Sequence, residues 1–275
     1  MSQELLGTTG IGSPTKRPPT TEAFAGFFRA FVDLLSFVGF VPAMAMEGDK
    51  LAKKAQDAGI MTDDDAWLSW TGEMASYHPL VEHMIHCHAV DNFLTYVSDL
   101  ISLAYRTRPE MLKSTESVKL DEILEYTTME DLVSYLVDRK VNELTYQGMR
   151  RIDSYLSGRF SFRLFEKEAT SKNAVRIVEA RNVIVHNRGF VSHIFISRVP
   201  DCALKIGQRL EITWKTLFED LTFLSTSASD IDARAIQKFN LRAAPFDEEF
   251  AHRIGLRLGR TLELARKNNV EVKVG

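Results

Sequence analysis

The sequence predicts an all-α protein, a helical bundle carrying at most a small β-hairpin after residue 201. Apolar residues recur at intervals of three and four along most of the chain, the period of a helix with one buried stripe. Strict alternation, the mark of a half-buried strand, is nearly absent. A chain of 275 residues that is 45% hydrophobic and 26% charged has the balance of a globular protein rather than a disordered one.

Taken in order, residues 1–20 hold Gly7, Gly10, Gly12, Pro14, Pro18 and Pro19 among Ser and Thr, a composition that buries no core and reads as a flexible tail. No strand precedes those glycines and no helix start follows them, so they do not make a phosphate loop. From Thr21, the series Phe24, Phe27, Phe28, Phe31, Leu34, Leu35 and Val38 predicts a helix buried on much of its circumference. Its most apolar run, Leu34 to Met46, contains Gly39 and Pro42 and closely follows Arg29 and Asp33. It falls short of the ~20 residues of a membrane span, so a buried helix is expected and no membrane.

Asp63, Asp64 and Asp65 supply negative charge at the start of a second helix carrying Trp67, Trp70 and Met74. Pro79 suits the first turn of a third, which runs to about Tyr105 and is stopped by Arg108-Pro109. Further helices are expected at Leu120–Tyr126, Met129–Leu144, Met149–Leu156, Ser171–Asn187, Trp214–Phe223, Ile231–Phe239 and Glu248–Lys267. Ala203–Ile206 and Arg209–Thr213, joined through Gly207-Gln208, are the one hairpin candidate. The expected divisions are a tail (1–20), an N-terminal helical segment (21–75), a central helical domain (76–225) and a C-terminal helical extension (226–275).

A net charge of −3 argues against a general nucleic-acid coat protein. Only two cysteines, Cys87 and Cys202, are present, and no signal peptide opens the chain, so a reducing cytoplasm is the expected setting.

The most chemically loaded stretch is Arg181-Asn182-Val183-Ile184-Val185-His186-Asn187-Arg188-Gly189, at the end of a predicted helix. These side chains can bind a phosphodiester and move its protons. At ~100° per residue, Ala174, Ile177, Arg181, Ile184 and Val185 share one face; Lys172, Glu179, Asn182 and His186 fall on the other. An arginine inside an apolar stripe requires an acid on a neighbouring helix, an anion or a partner surface. Arg181 and His186 lie ~140° apart on an unbroken helix, so two copies of the chain related by a twofold axis are the natural way to complete a site. Asn182 and His186, one turn apart, share a face, where the amide can orient the imidazole.

Charge supports the same region. From Met149 to Arg198 ten cations stand against four acids, a local +6 that leaves −9 for the rest of the chain. Lys172, Arg176, Asn187 and Arg188 are the residues expected to meet a polyanion beside the motif.

Other constellations carry less. His78, His83, His86, Cys87, His88 and Asp91 form the one metal-like cluster, but three ligands on one helix hold zinc only with help from elsewhere, and no metal or cofactor is expected. Ser192-His193 lacks the elbow of a serine hydrolase. Phe160, Phe162 and Phe165 interleave with Arg159, Arg163 and Lys167, a mixture that can stack bases but more often belongs to a core.

The run from Arg181 to Gly189 resembles the Arg-x4-His signature of HEPN domains, including the polar residue after the arginine, here Asn182. Arg108-Pro109-Glu110-Met111-Leu112-Lys113-Ser114 resembles a stretch in bacterial HEPN-type proteins. Together the two cover about residues 76–225. The resemblance implies a helical bundle that dimerises along the motif helix and a metal-independent endoribonuclease in which the ribose 2′-hydroxyl attacks the adjacent phosphate. His186 would then transfer protons, Arg181 would stabilise the developing phosphorane charge, and Asn182 would orient or bind. It also implies service as a toxin or in defence against phage, with an antitoxin or defence-system protein as partner. Other HEPN members keep the fold without cleaving, and bind RNA, a nucleotide or a protein partner instead.

Overall fold

A computed structural model describes residues 19–61, 71–72, 76–112, 118–146, 148–199, 201–245, 247–250 and 252–253. Most of the expected N-terminal tail, the second helix around Trp67 and Trp70 and most of the C-terminal helix lie outside them. The described chain is all-α: α1 (Glu22–Asp57), α2 (His78–Thr107), a 3-10 turn (Pro109–Leu112), α3 (Leu120–Leu124), α4 (Met129–Tyr146), α5 (Met149–Phe160), α6 (Glu168–Asn187), α7 (His193–Arg198) and α8 (Trp214–Phe239).

The hub is α2, against which α1, α4, α6 and α8 all pack. Its buried positions include Ile85, Ala89, Phe93, Tyr96, Leu100 and Ala104, a three-and-four spacing that follows one stripe. Phe93 meets Phe27 of α1 edge to face, and the Tyr96 hydroxyl donates to the Ala228 carbonyl of α8 (3.1 Å). Each fully buried aromatic of this kind contributes about 2–3 kcal/mol over an exposed one.

Thr21 starts α1 by accepting from Phe24 N–H, while its own N–H and hydroxyl donate to the buried carboxylate of Asp232 on α8. The first turns of α1 then bury Ala23, Phe27, Phe31 and Leu34. Beyond that point Ala45 is the one buried residue among those described, so the expectation of a buried helix largely fails. Phe37 and Phe40 are each 54% exposed and Leu51 is 65% exposed. In the most apolar 18-residue window of α1, with mean hydropathy 1.7, only 12% of residues are buried. α2 and α8 pack against α1, and in its C-terminal half Thr71 donates to Asp49 through both its N–H and its hydroxyl. Among the described residues α1 is the one helix long and apolar enough to cross a membrane.

Two further expectations are corrected. Trp214–Phe223 and Ile231–Phe239 are one helix, because Leu217, Leu221, Leu224, Ala228, Ile231, Ala235 and Phe239 continue the buried stripe without a break. The intervening hydroxyls of Thr226 and Ser225 bond back to Thr222 O, so this polar run is satisfied inside the helix. The division expected between residues 225 and 226 thus falls within α8, and one connected core runs from Ala23 to Leu241. The hairpin does not form either. Gly207 makes the turn, with φ +79° and Gln208 N–H donating to Lys205 O, but the following strand-like residues pair elsewhere. Leu210 N–H donates to Gly189 O (2.7 Å) and Val191 N–H to Gln208 O (2.9 Å), leaving a single antiparallel bridge between Phe190 and Arg209.

Candidate functional site

The end of α6 is fixed by that bridge. Arg188 and Gly189 both take left-handed backbone (φ +54° and +82°), Gly189 N–H returns to Val183 O, and the Asn187 amide donates to Phe190 O. A side chain at position 189 would be strained in that conformation, with its Cβ 3.6 Å from His83. The motif is thereby held rigidly at the rim of an open cleft of about 750 Å³.

Arg181, Asn182, His186 and Asn187 of α6 all line this cleft, joined by Ser192 and Arg198 around α7 and by Leu94 of α2. The wide helical angle between Arg181 and His186 is bridged by the cleft's breadth within one chain. His186 is exposed and has no hydrogen-bond or ion-pair partner among the described residues. Arg181 sits between α6 and α2. Its Nε lies 2.8 Å from Asp91 Oδ1, yet that buried N–H has no hydrogen-bond partner, so the contact is close in distance but poorly aligned. Its Nη1 donates to the Asn182 amide oxygen (3.3 Å), and Asn182 Nδ2 donates to Glu179 (3.4 Å).

Glu179 and Arg198 are the site residues that the motif pattern missed. Glu179 is a buried acid whose Oε1 accepts from Arg198 Nη1 at 2.9 Å. Its place on the Asn182 and His186 face was legible in the periodicity; its partner, on α7, was not. The helix α7 itself was unforeseen, though Ser192 caps it by accepting from Phe195 N–H, which also accounts for Ser192 without a nucleophilic role.

The other expected RNA contacts lie outside the cleft. Lys172 pairs with Asp201 (2.9 Å), whose carboxylate holds the ammonium pKa above its usual value. Arg176 bonds the buried Asp220 and Asn173, and Arg188 is exposed beyond the rim.

The histidine cluster is dispersed along α2. His78 meets the Trp214 ring edge-on, and His88 is exposed. His86, 1% exposed, has Nε2 3.3 Å from Ile177 O and Nδ1 3.5 Å from Asp220 Oδ2. Burial, the largest cause for each, holds His86 down to about 4 and pushes the Asp220 carboxyl above its ordinary value. Burial lowers His83, reinforced by Arg209, and raises the Cys87 thiol, reinforced by Asp91. Among the described residues no three His, Cys, Asp or Glu side chains converge as a metal would require. Phe162 and Phe165 are core residues, against Phe239 and Phe223.

No protein-family model, no curated protein and no solved structure matches this chain.

Proposed function

We propose that the protein is a metal-independent endoribonuclease of HEPN type, working in the cytoplasm as a homodimer whose motif helices meet. The observation that carries this reading is the convergence of Arg181, Asn182 and an unengaged His186 on one solvent-open cleft. A neutral imidazole removes the 2′-hydroxyl proton and an imidazolium protonates the leaving 5′-oxygen. The guanidinium meets the charge that develops on the phosphorane oxygens. With one His186 per chain, base and acid come from the two protomers. Val185 and Ile194, apolar and exposed beside the cleft, suit such an interface. An activity of this kind in the cytoplasm fits a toxin or antiphage role held in check by a partner protein.

A second reading, a non-catalytic module that binds RNA, a nucleotide or a protein, is favoured by the engagement of Arg181 with Asp91 and of Asn182 with Glu179. Incubating wild type and His186→Ala with labelled RNA in excess EDTA separates the two. Cleavage by wild type alone, leaving a 2′,3′-cyclic phosphate, is the expected result. Binding without cleavage by either protein selects the second reading.

A further inference from the structure

Next to the cleft lies a second hollow of about 240 Å³, lined by Met149, Arg150 and Arg151 at the start of α5 and by Val175 of α6. The two hollows share Gly148, Val178, Glu179 and Arg198, so one continues into the other past the Glu179–Arg198 pair. Among the described residues Glu179 is the single acid lining either hollow, and its charge is already met by Arg198. Arg150 donates to a neutral group, the Arg198 carbonyl (2.9 Å). Arg151 is exposed and has no carboxylate within ion-pair distance among the described residues. Arg150 lies near the exposed Asp201, which is itself paired with Lys172. Among the described residues neither arginine has a carboxylate at ion-pair distance, and the chemistry assigned to Arg181 and His186 uses neither.

We propose that Arg150 and Arg151 form a phosphate track that holds the single strand flanking the cleaved bond. The fit is to a polyphosphate backbone rather than to a mononucleotide. A small ligand is satisfied by the cleft alone, whereas a strand that enters the cleft must leave it, and the continuous exit is lined by two arginines that have no ion pair among the described residues. This assignment rests on the RNA reading of the cleft. Arg198 is excluded from the test because its removal strands the buried Glu179 charge.

The experiment compares full-length wild type with Arg150→Gln/Arg151→Gln and Arg150→Lys/Arg151→Lys. It uses fluorescence anisotropy on a long single-stranded oligoribonucleotide, on a dinucleotide and on single-stranded DNA, each across a salt series, with thermal melts to verify folding. The glutamine variant should bind the long strand more weakly, with the slope of log K against log salt reduced by about 1.4 for two lost phosphate contacts. DNA should show the same reduction, dinucleotide binding should be unchanged, and the lysine variant should restore the slope. An unchanged slope in the glutamine variant, while wild type binds RNA, overturns the track alone. Equal weakening on the dinucleotide, or a loss confined to RNA, also overturns it. Failure of wild type to bind any strand overturns the RNA reading and the track with it.

Discussion

Replacing Arg181 by alanine separates a reactive arginine from a structural one, because the two roles predict different costs. A fully buried ion pair broken on one side costs about 3–5 kcal/mol. The Arg181 side chain is 23% exposed and that of Asp91 is 48% exposed, and the near contact at 2.8 Å is misaligned. Such a pair contributes about 0–1 kcal/mol. The truncation also removes two stem methylenes, worth about 1 kcal/mol when mostly buried. The expected loss is therefore about 1–2 kcal/mol, read from urea denaturation followed by circular dichroism at one fixed chain concentration. Asp91→Asn, which keeps shape and removes charge, should cost under about 1 kcal/mol. Cleavage by Arg181→Ala, measured below the denaturation onset, should fall by about 10²–10³-fold, as when a transition-state oxyanion loses one donor. A stability loss of 3 kcal/mol or more, or cleavage close to wild type, refutes this assignment of Arg181.

Elsewhere the buried polar groups carry the clearer stability effects. Asp220→Ala removes the buried acceptor of the part-exposed Arg176 and the carboxylate beside His86, and should cost about 1.5–3 kcal/mol by the same denaturation assay; a cost below about 1 kcal/mol shows the cluster to be dispensable. His86, held near 4 chiefly by burial, binds a proton in the unfolded chain between pH 6.5 and 4 that the folded chain refuses. Its contribution to stability is complete above pH 6.5 and shrinks as pH falls toward 4. Asp220, raised by burial, works in the opposite sense, contributing most below its ordinary value of 3.8 and losing that contribution as pH rises through its folded value. Melting profiles of wild type and His86→Gln on the Asp220→Asn background isolate the histidine, and parallel profiles would refute its role.

How much of this was legible in the sequence depended on whether one element or several decided it. The helix positions of α2, α4 and α6 follow from periods within each segment, and the α6 motif was readable together with its need for a counter-charge. Which acid supplies that charge was not, since Asp91 reads on α2 only as a neighbour of Cys87 and His88. The cleft was illegible for a similar reason: Leu94, Gly148, Glu179 and Arg198 come from separate places in the chain, and packing alone brings them together. The division of α8 was misread because Ser225–Asp230 looks polar, although Ala228 holds the buried position and is small enough for Tyr96 to reach its carbonyl. Arg209–Thr213 has strand composition, but its partner proved to be the end of the motif helix.

The uneven attachment of α1 has a consequence in time as well as in space. Its first turns are pinned at both levels, backbone to Asp232 and side chains to the core, whereas Pro42 has no N–H to return to the carbonyl of residue 38. Amide exchange should therefore divide the helix in two. Protons near Phe27 and Phe31 exchange only when the bundle opens as a whole, and those beyond residue 43 exchange through local openings of far lower free energy. One continuous helix thus contains two clocks, the slow one set by the core and the faster one by a stretch in which Ala45 alone is buried among the described residues.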